Sequence, residues 1–293
     1  MSLEEKTIDL IEEPKLLGII GSPISHSLSP LMYNSLFKHL NLNFIFKGFD
    51  IPEEKLKLTI EAMRVLNFKG ISVTHPHKIS VMKFLDYNTE DAINIGAVNT
   101  IQIKDNELIG YNTDGDGYVK SLQQETGIQL ENKNVFLFGA GGAGNSIGYR
   151  LSQSGIRKLY ISDKDSNKAM ELAKKLSLFV STSVIDLKQL DSLKKLNIDL
   201  FINATPIGMN VKKVDEYPIS LNYFDKNVII SDIVYNPPET LLLRNAKSKG
   251  FKTHGGAGML IQQGVIAFEI WTGVNPPESI MKQSIDHYLN KIR

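Results

Sequence analysis

Lys78 closes the run Ser72-Val73-Thr74-His75-Pro76-His77-Lys78, and Asp114 stands in Tyr111-Asn112-Thr113-Asp114-Gly115-Asp116-Gly117. A lysine just past a short apolar strand, where a helix is expected to begin, can give a proton to a substrate oxygen or take one from it. Each residue also has a plainer reading. Lys78 alone reads as a solvated surface lysine, and Asp114 as the cap of a helix beginning near Gly117. Ser22, Ser25, Ser27 and Ser29 share one loop ahead of a helix start at Ser29-Pro30. Hydroxyls at a helix N-terminus suit a carboxylate, and they equally suit capping and turning. His75 and His77 flank Pro76 without a third ligand nearby and without an HExxH pattern, so no metal is expected.

A second constellation points to a dinucleotide. The apolar run Val135–Phe138 leads into Gly139-Ala140-Gly141-Gly142-Ala143-Gly144. Helical spacing of Ile147, Gly148 and Leu151 follows, then a strand at Lys158–Ser162, then Asp163, 24 positions beyond Gly139. Strand, glycine turn, helix, strand and acid is the order a dinucleotide site requires. Gly139 allows the tight turn, Gly141 lets a pyrophosphate approach the backbone, and Gly144 lets helix and strand pack closely. Gly142 and Ala143 open the helix whose N–H groups face the phosphates.

The elements that must position these residues alternate along the chain. Strands are expected at Leu16–Ile20, Asn43–Phe49 and Gly70–Val73. A helix from Ser29 to Leu40 would bury Leu31, Leu36 and Leu40, and one opening at Pro52 would bury Leu56, Ile60, Met63 and Leu66. A helix from Pro76 to Leu85 would carry Lys78 on its first turn. Ala97–Ile103 and Glu107–Ile109 flank Asp105-Asn106 as a hairpin. The glycines of Tyr111–Gly117 read as a joint between domains. Beyond the glycine turn, strands are expected near Phe179–Val184, Asp199–Ile202 and Val228–Ile233, making this part doubly wound. The stretch from Gly255 to Arg293 reads as two amphipathic helices split by Asn275-Pro276-Pro277, packed back on the first domain.

Bulk properties set the class. The 293 residues suffice for two domains with full cores. Thirty-three basic and thirty-two acidic side chains leave a formal charge of +1, and no basic stripe is present, so neither nucleic acid nor a membrane surface is an expected partner. There is no cysteine, which excludes disulfides and suits a reducing cytoplasm, the expected location. The acidic start lacks a secretory core, and no apolar run is long enough to span a bilayer.

In order and spacing, the segments GSPISHSLSP (21–30), SVTHPHK (72–78), GAVNT (96–100), GYNTDGDG (110–117), GAGGAG (139–144), NATPIGM (203–209), DIVYNPPET (232–240) and GGAGMLIQQG (255–264) resemble the shikimate dehydrogenase family, including its quinate/shikimate members. The resemblance covers nearly the whole chain. It implies an α/β fold with a substrate-binding domain at residues 1–113 and 256–293, and a doubly wound Rossmann-type NAD(P)-binding domain at 114–255. It also implies an oxidoreductase that reversibly reduces 3-dehydroshikimate to shikimate on the chorismate route to aromatic amino acids. Carried over residue by residue, Lys78 and Asp114 become the catalytic pair. Ser27 and Ser29 hold the substrate carboxylate, Thr74, Asn99 and Gln263 bind ring hydroxyls, and Tyr235 lies nearby. Asn203, Thr205 and Met209 lie along the nicotinamide side, with Gly258 near it. Monomers and homodimers both fit.

Departures from the family pattern shape the remaining expectations. Ser72 stands where Asn is usual, and His75 where an apolar residue is usual, a feature shared with some quinate/shikimate enzymes. NADP-using members carry Asn-Arg-Thr after the second Rossmann strand, whereas this chain has Asp163-Lys164-Asp165. Asp163 can accept from ribose hydroxyls and repel a 2′-phosphate, while Lys164 can reach a phosphate. NAD is therefore the expected preference over NADP. The alternatives are an NAD-dependent enzyme acting also on quinate and, more remotely, a non-catalytic dinucleotide sensor.

Overall fold

The computed structural model describes residues 13–25, 27–187, 194, 196–209 and 219–291. Two six-stranded sheets organise the chain. The first is built from β1 (Lys15–Gly21), β2 (Phe44–Asp50), β3 (Gly70–Val73), β4 (Tyr87–Asn88), β5 (Thr100–Lys104) and β6 (Glu107–Tyr111), in the order β2-β1-β3-β5-β6-β4. β1 runs parallel to β2 and β3, and β5 runs antiparallel to β3 and β6. The hairpin at Asp105-Asn106 forms as expected, with both residues at positive φ (51° and 66°), the backbone a two-residue hairpin turn demands.

Helices α1 (Ser29–His39), α2 (Leu56–Val65) and α3 (Glu90–Ile95) connect these strands. Their buried faces differ in detail from the expected ones. On α1 the seam is Met32, Tyr33, Leu36 and Phe37, while Leu31 is 40% exposed. On α2 Leu56, Ile60 and Met63 are buried, but the helix ends at Val65 and leaves Leu66 outside. The helix expected from Pro76 does not form, and a 3₁₀ segment at Ser80–Phe84 takes its place. The Lys78 carbonyl accepts from the Val98 N–H at 2.8 Å, so it is engaged by the strand side instead of by the next helical turn.

The second sheet comprises β7 (Asn134–Phe138), β8 (Lys158–Ser162), β9 (Ser181–Val184), β10 (Leu200–Asn203), β11 (Ile229–Asp232) and β12 (Lys252–Gly255). Its order is β12-β11-β10-β7-β8-β9, with every pair parallel. Strand order reverses between β7 and β10, which opens a crevice at their carboxyl ends. Val135, Phe136, Leu137 and Phe138 are all buried, as a strand covered on both faces requires. Helices α4 (Asp114–Thr126), α5 (Gly142–Ser152), α6 (Ser166–Leu176) and α7 (Leu241–Ser248) accompany this half.

The last two helices, α8 (Gly256–Thr272) and α9 (Glu278–Lys291), return to the first sheet. α9 buries one face through Met281 and Ile285. α8 is not amphipathic. It is wedged between α4 and the first sheet and buries Met259, Ile261, Gln262, Val265, Phe268 and Trp271, residues from several sides of the helix. Trp271 donates its indole N–H to the Ile101 carbonyl at 2.9 Å, and its ring occupies the space a side chain at Gly70 would need. A fully buried apolar side chain such as Phe268 contributes about 1.5–3 kcal/mol. α8 thereby brings the far end of the chain into the space between the two sheets.

Candidate active site

Carboxyl ends of strands from both sheets converge on one cavity of about 200 Å³. β3 delivers Ser72, Val73 and Thr74, with Lys78 on the turn that follows. α1 presents Ser29 at its first turn, β6 runs into α4 and Asp114, and α8 contributes Gly256, Met259 and Gln263. All eight residues expected at the catalytic and substrate positions line this cavity: Ser27, Ser29, Thr74, Lys78, Asn99, Asp114, Tyr235 and Gln263.

Lys78 Nζ donates to Asp114 Oδ2 at 2.5 Å. Asp114 is almost fully buried, with a side-chain exposure of 8%, whereas Lys78 keeps 23% toward the cavity. The second carboxylate oxygen accepts from Asn99 Nδ2 at 2.8 Å. Asp114 does not cap a helix: it is the first residue of α4, whose N-cap Thr113 makes no side-chain cap bond, and its own N–H donates to Asn112 Oδ1 at 3.1 Å. Asp114 is thus left to face Lys78. A charge-assisted pair this short fixes the ammonium in direction as well as distance.

Asn99, on the cavity wall, is also held by several partners within the protein. Its Nδ2 also donates to Thr113 Oγ1 at 3.0 Å, and its Oδ1 accepts from the Thr113 N–H at 2.9 Å and Thr100 Oγ1 at 3.0 Å. In this arrangement it braces Asp114. Gln263 folds its Nε2 back to the Leu260 carbonyl at 2.9 Å, leaving Oε1 for the cavity. α1 has no side-chain cap, so the Ser29 hydroxyl is not consumed in capping. Ser27 Oγ accepts from the Ser29 N–H at 3.4 Å. Ser22 is turned away, donating to Asp50 at 2.7 Å, and Ser25 does not line the cavity. Tyr235 is largely enclosed, and burial pushes its phenol above the usual range.

The glycine turn matches what a dinucleotide needs. Gly139 has φ +113°, and a Cβ there would meet the Ala204 backbone at 2.8 Å. Among the described residues, side chains at Gly141 or Gly142 would meet nothing within 4 Å, and α5 begins there without a side-chain cap. The Gly144 position is pressed against the Gly139 carbonyl. These features fit a pyrophosphate laid over the amides of α5. Next to the turn, Thr205, Pro206 and Met209 line a cleft of about 430 Å³, which shares Ile233 and Tyr235 with the Lys78 cavity.

Three of the residues expected on the dinucleotide side also have partners within the protein. Asn203 is fully buried, donating to Asp232 Oδ1 at 2.9 Å and accepting from the Thr205 hydroxyl at 2.6 Å, so its side chain shapes the 203–209 loop from behind. Gly258 faces the side chains of Ser121 and Glu125 on α4, which a Cβ there would displace, and Gly256 of the same segment lines the Lys78 cavity. Asp163 accepts from the Ala140 N–H at 2.7 Å and the Asp165 N–H at 2.9 Å, bracing the glycine turn, with Lys164 exposed beside it. His77 is buried, with Nε2 2.7 Å from the Ile51 carbonyl oxygen. A larger groove, about 670 Å³, opens near Arg64, Lys69 and Lys104, at the opposite end of β3 from Lys78.

A parallel sheet with a dinucleotide crevice, abutting a cavity with a paired lysine and aspartate, defines a nicotinamide-dependent oxidoreductase. Family models described as the shikimate dehydrogenase substrate-binding domain, shikimate/quinate 5-dehydrogenase, and the shikimate 5′-dehydrogenase C-terminal domain match residues 19–101, 120–236 and 256–285. A shikimate dehydrogenase (NADP+) of Methanococcus maripaludis is 42% identical over 272 residues, covering 92% of this chain and 96% of the relative. A shikimate dehydrogenase crystallised with NADP+ superposes with a TM-score of 0.87 at 40% identity, covering 94% of this chain and 96% of that one. The Listeria monocytogenes enzyme, crystallised with shikimate and NAD, gives 0.87 at 33% identity, covering 92% and 96%. The chain belongs to the shikimate dehydrogenase family.

Proposed function

We propose that this chain catalyses the reversible reduction of 3-dehydroshikimate to shikimate. The observation that carries the reading is the Lys78–Asp114 pair on the wall of a hydroxyl-lined cavity that adjoins the dinucleotide cleft. Residues 1–113 with 256–293 hold the ring acid, and residues 114–255 hold the dinucleotide. When bound, the nicotinamide supplies or accepts the hydride at ring C3. Lys78 passes the accompanying proton to or from the C3 oxygen, and Asp114 aims the lysine. Ser27 and Ser29 take the carboxylate. Thr74 and Gln263 take ring hydroxyls, and Asn99 holds Asp114 in line. Enclosure by Tyr235, Ile233 and Met259 limits water at the reacting atoms.

NADP is the favoured dinucleotide. Two of Asp163's lone pairs are engaged by backbone N–H groups, which weakens the ribose contact that a preference for NAD was expected to rest on. Lys164 is exposed at the end of β8, within the loop a 2′-phosphate would meet. The Asp163 charge would repel a 2′-phosphate, and a second reading, an NAD-linked enzyme acting also on quinate, rests on that charge. Steady-state assays of shikimate and quinate against NAD and NADP test both. Shikimate with NADP as the most efficient pair supports the first reading, and quinate with NAD as the most efficient pair overturns it.

A further inference from the structure

His254 lies on β12, 2% exposed, far along the chain from the residues that carry the proton. Its Nδ1 is 2.9 Å from Ser231 Oγ on β11, and its Nε2 is 2.8 Å from Ser121 Oγ on α4. Tyr118 donates its hydroxyl to Ser231 Oγ at 2.9 Å, and Ser121 donates to Glu125 Oε1 at 3.2 Å. Each hydroxyl has one proton, so these donors fix the rest. Ser121, having given its proton to Glu125, accepts from Nε2–H. Ser231, which accepts from Tyr118, has its own O–H left to donate a hydrogen bond to Nδ1 of a neutral ring. Burial disfavours the charged ring, and a neutral imidazole that donates from Nε2–H accepts at Nδ1; the ring stands edge-on to Tyr118 at 5.5 Å.

Asp114, Tyr118 and Ser121 follow one another at spacings of four and three on α4, so they share one face. The network thus grips the face that ends in Asp114. At its other end lies β11, whose exit leads to Ile233 and Tyr235, which line the same cavity as Asp114. A histidine presents a donor and an acceptor on opposite edges of one flat ring, which lets it span two serines. An apolar residue of the same size would leave both hydroxyls without this partner.

We infer that His254 is a positioning residue for the reaction, setting the separation of Asp114 on α4 from the β11 wall of the cavity. The inference rests on the reading of Lys78 and Asp114 as the proton-transferring pair. His254 touches neither substrate nor dinucleotide. It acts by holding two walls in register, and a misplacement of about 1 Å at a reacting pair costs on the order of 100-fold in rate.

The test is steady-state kinetics of His254→Phe, His254→Gln and Tyr118→Phe, run with shikimate and with C3-deuterated shikimate, at a temperature where near-UV circular dichroism shows each variant folded. His254→Phe is expected to lower kcat by about tenfold or more while both KM values stay within about threefold, and to enlarge the deuterium isotope effect on kcat. His254→Gln, which keeps a donor and an acceptor, recovers part of kcat. Tyr118→Phe gives a smaller loss that is less than additive with His254→Phe. A kcat within twofold of the parent chain overturns the inference, as does a loss that appears only in KM or an isotope effect that does not change. If His254→Phe does not fold, the glutamine and Tyr118 variants decide the matter by the same readouts. A parent chain that does not oxidise shikimate overturns the functional reading itself; an active parent with unaffected variants overturns this inference alone.

Discussion

Gly117 of α4 and Gln263 of α8 are in backbone contact: a Cβ on Gly117 would stand 2.5 Å from the Gln263 nitrogen. Thr113 adds a hydrogen bond from its hydroxyl to the Gln263 carbonyl at 3.2 Å. The helix that starts at Asp114 and the helix that carries Gln263 therefore cross at the cavity. Gly117→Ala cannot be absorbed by a rotamer change, because the obstacle is main chain. It should destabilise the protein by about 1–3 kcal/mol, read as a lower urea midpoint, and should reduce turnover as α4 is pushed off α8. An unchanged midpoint would mean that the two helices part easily.

Lys78→Ala removes the proton carrier while leaving the carboxylate grip and the dinucleotide crevice in place. Turnover should fall by at least ~100-fold with little change in the KM for shikimate. Near-normal turnover in this variant would sink the assignment of Lys78.

Asn99 links Asp114, Thr113 and Thr100 through one buried amide. Asn99→Ala should cost roughly 1–3 kcal/mol in stability, since it strands buried partners. It should also lower kcat, because Asp114 loses the bond opposite Lys78. If KM for shikimate rises and kcat holds, Asn99 serves the ring hydroxyl and not the aspartate.

Asp163→Asn removes a charge from the crevice while retaining an acceptor for the Ala140 or Asp165 N–H. The ratio of kcat/KM for NADP to that for NAD should rise by about tenfold. A ratio that does not move would show that the acid braces the turn without selecting the dinucleotide.

Burial holds His254 down at about 4 from an ordinary 6.5, so the folded state disfavours the imidazolium. Between those values the unfolded chain binds more protons than the folded one, and stability rises with pH. The contribution, on the order of 3 kcal/mol, is complete above the ordinary pKa near 6.5 and is lost as pH falls toward 4. Urea midpoints measured from pH 7 to pH 4 should decline, and the decline should be shallower in His254→Phe. Equal slopes in the two proteins would locate the acid sensitivity elsewhere.

Local spacing in the sequence determined the elements and the chemistry they carry. The apolar strand into GAGGAG, the acid after β8 and the hairpin at Asp105-Asn106 are all sequence-local, because strand, turn and helix-start preferences act over a few residues. The residues of the ring-acid cavity stand in its motifs, yet nothing in spacing alone says that Lys78 and Asp114, 36 positions apart, share a hydrogen bond. Tertiary packing decided that, and it decided more. It replaced the helix after Pro76 with a 3₁₀ turn, because the Lys78 carbonyl is held by Val98. It buried α8 on several sides and put Gly256 on the cavity wall. Asn203 and Asp163 became braces, since buried polar atoms take whichever partners the fold brings nearest. His254 showed no signal of its own in the sequence; Ser121 and Ser231 meet it only because a helix and two strands pack there. Residue types thus fixed which chemistry was available, and long-range contacts fixed which atoms were left free to perform it.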